Sequence, residues 1–99
     1  MNLEFLAQLE KLLLERKQQM PAGSYTTKLY QSGPQKILQK VGEEAIEYIL
    51  DAQNADKQKA IYEGADLVYH FMVSLVAQGW SLADIIAEPE KRHSPSGKP

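Results

Sequence analysis

The chain has 99 residues, 43% of them hydrophobic and 24% charged, which fits one small globular domain and leaves no room for a second. The 11 Lys and Arg against 13 Asp and Glu give a formal charge of -2 and a pI near 5.6. That balance argues against a polyanion-coating surface, so no nucleic-acid partner is expected. The absence of cysteine removes disulfides, thiolate zinc sites, iron–sulfur clusters and cysteine nucleophiles. Met1-Asn2-Leu3-Glu4-Phe5 lacks the basic-then-apolar pattern of a leader. The longest apolar stretch, Val68 to Ala77, is broken by His70 and Ser74 and falls short of the roughly 20 residues that cross a bilayer. A cytoplasmic protein with no membrane partner is the expectation.

The first predicted helix covers Asn2 to Gln19, where Leu3, Leu6, Leu9 and Leu13 recur at helical spacing and Phe5, Leu12 and Leu14 widen the stripe. Asn2 is placed to cap it, and Met20-Pro21-Ala22-Gly23 to end it. Ser24 to Tyr30 reads as a loop running into one or two helical turns, stopped by Ser32-Gly33. Pro34 suits the first turn of a long helix reaching Gln53. After the short break Gln53-Asn54-Ala55-Asp56, a third long helix runs from Asp56 to Gln78, making the two an antiparallel hairpin. Gly79 closes it, and Ser81 caps a last helix over Leu82 to Glu88, which Pro89 should end or kink. Residues 94–99, rich in Ser, Pro, Gly and Lys, read as a disordered tail after a domain over 1–93. No segment alternates at strand period. The predicted fold is all-α, a four- to five-helix protomer built on the hairpin.

The second long helix carries Lys36, Lys40, Glu43, Glu44, Glu47 and Asp51 on one sector about 100° wide. Ile37, Leu38, Val41, Ala45, Tyr48, Ile49 and Ala52 form an apolar face, and Ile46 and Leu50 a second, smaller stripe. The third helix is apolar almost all round, which predicts a central position. Its polar stripe is Glu63, Asp66, His70 and Ser74. Carboxylates on such a helix are costly unless they meet a cation. The hairpin brings Glu43, Glu44 and Glu47 opposite Glu63 and Asp66, and an all-oxygen set of this kind suits Mg²⁺, or Mn²⁺, rather than zinc or copper. The usual alternative is a solvated charged face with an ordinary Lys40–Glu44 pair. Gly42 and Gly64 are read as letting the two helices approach closely. Trp80 reads as a core anchor, and Ser74 as an alcohol bonded to backbone one turn back.

Glu43-Glu44-Ala45-Ile46-Glu47 followed by Glu63-Gly64-Ala65-Asp66 is similar to the EExxE…ExxD signature of the all-α nucleoside-triphosphate pyrophosphohydrolase (MazG-like) superfamily. Ser24-Tyr25-Thr26, Lys36 to Glu44, Asp66 to His70 and the Arg92-His93 close resemble the phosphoribosyl-ATP pyrophosphatase family of histidine biosynthesis. The likeness runs from Leu6 to His93. It implies hydrolysis of phosphoribosyl-ATP to phosphoribosyl-AMP and pyrophosphate, the second step of that pathway, by a Mg²⁺-dependent homodimer. It also implies Glu44, Glu47, Glu63 and Asp66 as metal ligands, and Glu43 as a second-metal ligand or water-orienting group. Glu47 doubles as a catalytic carboxylate. Lys36 and Lys40 are candidates for phosphate oxygens, His70 for a phosphate or a ligand carboxylate, and Tyr25, Thr26 and Lys28 for the substrate pocket. Otherwise Tyr25 and Thr26 would simply pack and cap a helix. In many relatives a zinc-dependent cyclohydrolase is fused to this domain; a chain of this size without cysteine is expected to act alone. Two rivals stand beside this reading. One is a house-cleaning pyrophosphohydrolase of dUTP or damaged nucleotides, which shares the metal motif. The other is a non-catalytic helical dimer acting as an adaptor.

Overall fold

A computed structural model describes residues 1–93. It contains α1 (Glu4–Gln19), α2 (Tyr25–Ser32), α3 (Pro34–Gln53), α4 (Lys57–Gln78) and α5 (Leu82–His93), with no strand among the described residues. The expected disordered tail, 94–99, lies outside them. The antiparallel α3–α4 hairpin is the frame: α1 rests on α4, and α2 bridges α1 and α3.

Local chemistry explains most boundaries. Pro34 opens α3, and Gly33 supplies the left-handed φ of +92° that turns the chain out of α2. Ser24 caps α2 by accepting from the Thr27 amide, so the cap is Ser24 and not Thr26. Asp56 caps α4 through the Lys59 amide, and Gly79 closes it with φ +80°. Ser81 and Asp84 cap α5 reciprocally, each side chain accepting from the other's amide. Asn2 does not cap α1: Leu3 holds that position without a side-chain bond. Nor does Pro89 end α5, which continues to His93. The lost amide removes one hydrogen bond on an exposed helix, and an Arg92–Glu88 ion pair at 3.1 Å spans the proline.

The core is Leu13, Leu29, Ile37, Met72, Val73 and Val76, fringed by Leu6, Leu9, Tyr30, Tyr69, Ala77 and Leu82. It occupies one end of the hairpin only. The expectation that α4 is central throughout holds from His70 to Val76 and fails in its first half, where Ile61 and Tyr62 are more than 60% exposed. On α3 only Ile37 and Glu44 are buried, while Leu38, Tyr48 and Ile49 of the predicted apolar face lie open. On α1, Phe5, Leu12 and Leu14 are likewise exposed. α1 and α2 are simply too short to cover hairpin arms of 20 and 22 residues.

Trp80 is not a core anchor. Its ring is exposed beside a cavity of about 500 Å³ between α1, the end of α4 and the start of α5. Two α1 side chains organise that corner. The Lys17 amine donates to the Val76 carbonyl (2.9 Å), and a Glu10 carboxylate oxygen accepts from the Leu82 amide (2.6 Å). Each meets the helix end whose dipole it complements.

Close helix approach does not explain Gly42, because a methyl group there would meet nothing within 4 Å among the described residues. At Gly64 it would touch only the Tyr48 ring, at an ordinary 3.4 Å. Gly42→Ala should therefore raise stability by about 1 kcal/mol through helix propensity alone. Urea unfolding checks this, and a loss of stability would mean that another surface covers that face of α3.

Candidate functional site

The hairpin brings three carboxylates together. One oxygen each from Glu44 on α3 and Glu63 and Asp66 on α4 lies within 4.8 Å of the others. The spacing is the cause: positions 63 and 66 stand one turn apart on the same face of α4, opposite position 44. Glu44 is buried, and the other two are half-buried. Among the described residues, Glu44 Oε2 and Glu63 Oε2 have no hydrogen-bond partner. Buried carboxylate oxygens without partners are unfavourable. An all-oxygen donor set with unsatisfied lone pairs fits a hard divalent cation.

Glu47 lies beside Glu63 across the hairpin. Its hydrogen-bonding influence, then burial, then the negative charges of Glu47 and Glu44, push Glu63 up to about 7. Glu43 faces outward instead. Its carboxylate accepts from the Gln39 amide at 2.9 Å, and that bond, with the charges of Lys40 and Lys36, holds it below the usual glutamate range.

Lys40 joins the acidic cluster to a basic one. Its amine lies 3.5 Å from Glu44 and 3.7 Å from Glu43. Burial pulls its pKa down, but Tyr25, Glu44 and Glu43 outweigh that and keep it above the ordinary lysine value. On its other side a cleft of about 240 Å³ opens between α2 and α3, lined by Tyr25, Lys28, Leu29, Ser32, Lys36 and Lys40. Lys28 and Lys36 make no ion pair among the described residues. Three ammonium groups around one cleft make a natural anion site.

His70 is buried on α4 with both ring nitrogens engaged. Nδ1 lies 2.7 Å from the Asp66 carbonyl, an acceptor only, so Nδ1 carries the proton. In the neutral ring Nε2 then accepts from the Tyr25 hydroxyl, also at 2.7 Å. No nitrogen remains for a phosphate, so the predicted direct phosphate contact of His70 does not match its geometry. Thr26 is buried and hydrogen-bonded to the Tyr69 hydroxyl. The expected pocket segment thus divides: Tyr25 and Lys28 reach the cleft, and Thr26 holds α2 to α4. Sequence reasoning missed Gln39 and the Thr26–Tyr69 bond. The four-residue spacing from Gln39 to Glu43 was a signal for the first; the second, between distant segments, had none. Ser74 does bond one turn back, donating to the Phe71 carbonyl at 2.6 Å.

The larger cavity beside Trp80 lies away from this chemistry. Its Glu10 and Lys17 already hold helix ends.

An all-α protein with carboxylates converging inside its central hairpin is the class that fold and site define. A family model described as phosphoribosyl-ATP pyrophosphohydrolase matches residues 6–93. The phosphoribosyl-ATP pyrophosphatase of Leptospira biflexa is 48% identical over 92 residues, 93% of this chain and 100% of that protein. The histidine biosynthesis bifunctional protein HisIE of Bacteroides thetaiotaomicron is 47% identical over 94 residues, 95% of this chain and 46% of that protein. Its namesake in Vibrio cholerae is 48% identical over 89 residues, 90% of this chain and 42% of its own length. The chain spans less than half of these bifunctional relatives and the full length of the Leptospira protein. It belongs to the phosphoribosyl-ATP pyrophosphohydrolase family.

The raised Glu63 gives the metal-free protein a pH dependence of known sign. Between the ordinary glutamate value of 4.5 and about 7 the folded state binds more protons than the unfolded one. Stability from this group is therefore present at low pH and lost as pH rises through about 7. In chelator-treated protein, thermal unfolding should occur at lower temperature at pH 8 than at pH 5.5, and Glu63→Gln should flatten that difference.

Proposed function

We propose that this chain hydrolyses phosphoribosyl-ATP to phosphoribosyl-AMP and pyrophosphate in histidine biosynthesis. The carrying observation is the pair of unpartnered carboxylate oxygens on Glu44 and Glu63 beside a lysine-lined cleft. Acidic and basic halves of one site match a substrate that arrives as a polyphosphate with a cation. Kinship with phosphoribosyl-ATP pyrophosphatases over most of the chain selects the substrate.

Glu44, Glu63 and Asp66 hold Mg²⁺, with Glu47 completing the set from its place beside Glu63. When bound, the ion neutralises phosphate charge and polarises the phosphorus under attack; Mn²⁺ has the same ligand preference. Lys40, Lys36 and Lys28 bind phosphate oxygens as compact charges. In the reaction a water oxygen bonds to one phosphorus of the α–β anhydride, and the bridging oxygen departs with the other phosphoryl group. Glu47, exposed and adjacent to the cluster, takes the proton that the water gives up. Glu43, bound to Gln39 and Lys40, sets the position of the Lys40 amine.

The protein acts as a homodimer in this reading. Ile46, Ile49 and Leu50 on α3 and Ile61, Tyr62 and Val68 on α4 are each close to half exposed or more. Such a surface is expected to be covered. A radius of gyration of 15.3 Å exceeds the roughly 13 Å of a compact domain this long, as a hairpin projecting toward a second copy would. An isologous pairing gives two equivalent sites. A purely adaptor role leaves the orphaned buried carboxylates without a purpose.

Purified protein should release pyrophosphate from phosphoribosyl-ATP only with Mg²⁺ or Mn²⁺. Glu63→Gln and Asp66→Asn should each lower kcat/KM by about a hundredfold or more, and Glu43→Gln by less than about tenfold. Preference for dUTP or damaged nucleotides would move the protein to house-cleaning, and inactivity of a folded dimer on all of them would favour the adaptor. In light scattering the wild type should be a dimer, and Ile49→Asp combined with Ile61→Asp should yield monomer.

A further inference from the structure

Between the acidic cluster and the lysine cleft stands one aromatic ring. Tyr25 is 51% exposed, lines the cleft beside Lys28, Lys36 and Lys40, and sends its hydroxyl into the protein to His70 Nε2. The phenol also feels the acidic side. Burial raises its pKa, Lys40 opposes that, and Glu44 and Asp66 add to it. It therefore borders both halves of the site.

An exposed tyrosine on the first turn of an eight-residue helix would ordinarily swing between rotamers. This one is fixed at its tip. The His70 ring meets it edge-on, with centroids 5.8 Å apart and planes at 86°. The Tyr69 ring lies nearly parallel to it, with centroids 6.5 Å apart and planes at 27°. His70 is itself locked through Nδ1 to the Asp66 carbonyl and is buried. The result is a flat apolar face, held still and open to solvent, between the cation-binding carboxylates and the anion-binding lysines. Its support comes from α4, the helix that carries Glu63 and Asp66, so the ring keeps its place relative to the carboxylates.

We infer that the Tyr25 ring is the platform on which the purine of the substrate stacks, and that His70 is a positioning residue acting through it. The inference rests on the reading under Proposed function. A ribosylated ATP carries phosphate at both ends and its base between them. The site carries cation-binding carboxylates on one side, lysines on the other and this ring between. Stacking on a fixed aromatic face is favourable for a purine and indifferent to bare phosphate. Rigidity helps because the ring loses no rotamer freedom on binding.

The test compares ATP with inorganic tripolyphosphate, which carries the same charges without a base, by titration calorimetry in Mg²⁺ buffer. Tyr25→Leu should weaken ATP by about tenfold and leave tripolyphosphate within about twofold. His70→Leu should weaken ATP in the same direction, and Tyr25→Leu with His70→Leu should be no worse than Tyr25→Leu alone, since His70 acts only through the ring. With phosphoribosyl-ATP, Tyr25→Leu should raise KM with kcat little changed. Equal weakening of both ligands, unchanged ATP affinity in Tyr25→Leu, additive effects in the double variant, or no ATP binding by wild type would each overturn the platform. Position 25 is half exposed, so Tyr25→Leu decides the matter even if His70→Leu fails to fold. Wild type that binds ATP through Tyr25 but leaves phosphoribosyl-ATP intact would overturn the substrate assignment and keep the platform.

Discussion

Two buried carboxylate oxygens that find no partner among the described residues, Glu44 Oε2 and Glu63 Oε2, set the terms for the rest of the molecule. Helices α3 and α4 pack against each other along the hairpin, and that packing forces like charges together at its middle. Left alone, such a cluster resists ionisation, and Glu63, beside Glu47 and Glu44, is pushed above the usual glutamate range. Among the described residues, the one direct counter-charge to the cluster is the Lys40 amine, 3.5 Å from Glu44. The apolar core lies at the opposite end from the hairpin tip, so the carboxylates sit where packed body meets projecting arms. A binding centre at that junction gives up stability that the core must make good.

The site is divided by chemistry as well as by position. Three carboxylates come from the two long helices, whose relative placement is fixed over many turns. The basic cleft is shared between α3 and the short α2, which reaches α4 through Tyr25–His70 and Thr26–Tyr69. A rigid half thus faces a half held by a few side-chain bonds. Lys40 belongs to both, since it pairs with Glu44 and lines the cleft.

Much of this was legible in the amino-acid order. The hairpin followed from Pro34, the break at residues 53–56 and Gly79. The carboxylate cluster followed from Glu44, Glu63 and Asp66 lying on facing stripes. What failed did so for identifiable reasons. Periodicity marks α4 as apolar all round, but it cannot say that α1 and α2 cover only half of it. Ile61 and Tyr62 look like core in sequence and lie open in the protomer. Pro89 is a helix breaker by local rules, yet an exposed helix with an ion pair across it tolerates the missing bond. Trp80 follows a helix-closing glycine, and no local rule reports which way the chain turns after it. For His70 the sequence supplied a polar residue on a buried stripe; its partners, Tyr25 and a backbone carbonyl, depend on how α2 lies across α4.

The corner held by α1 has a further meaning. Glu10 and Lys17 are seven residues apart, two turns along one face, and they grip the start of α5 and the end of α4 respectively. A negative group at one helix's beginning and a positive group at another's finish amount to a compass reading. Were α1 laid on the core in the reverse direction, both charges would meet the wrong pole. Its leucines alone do not encode a direction, because an apolar stripe is nearly symmetric end for end. The two charges therefore specify the heading of the first helix, and with it the path by which the chain enters α2 and brings Tyr25 to the site.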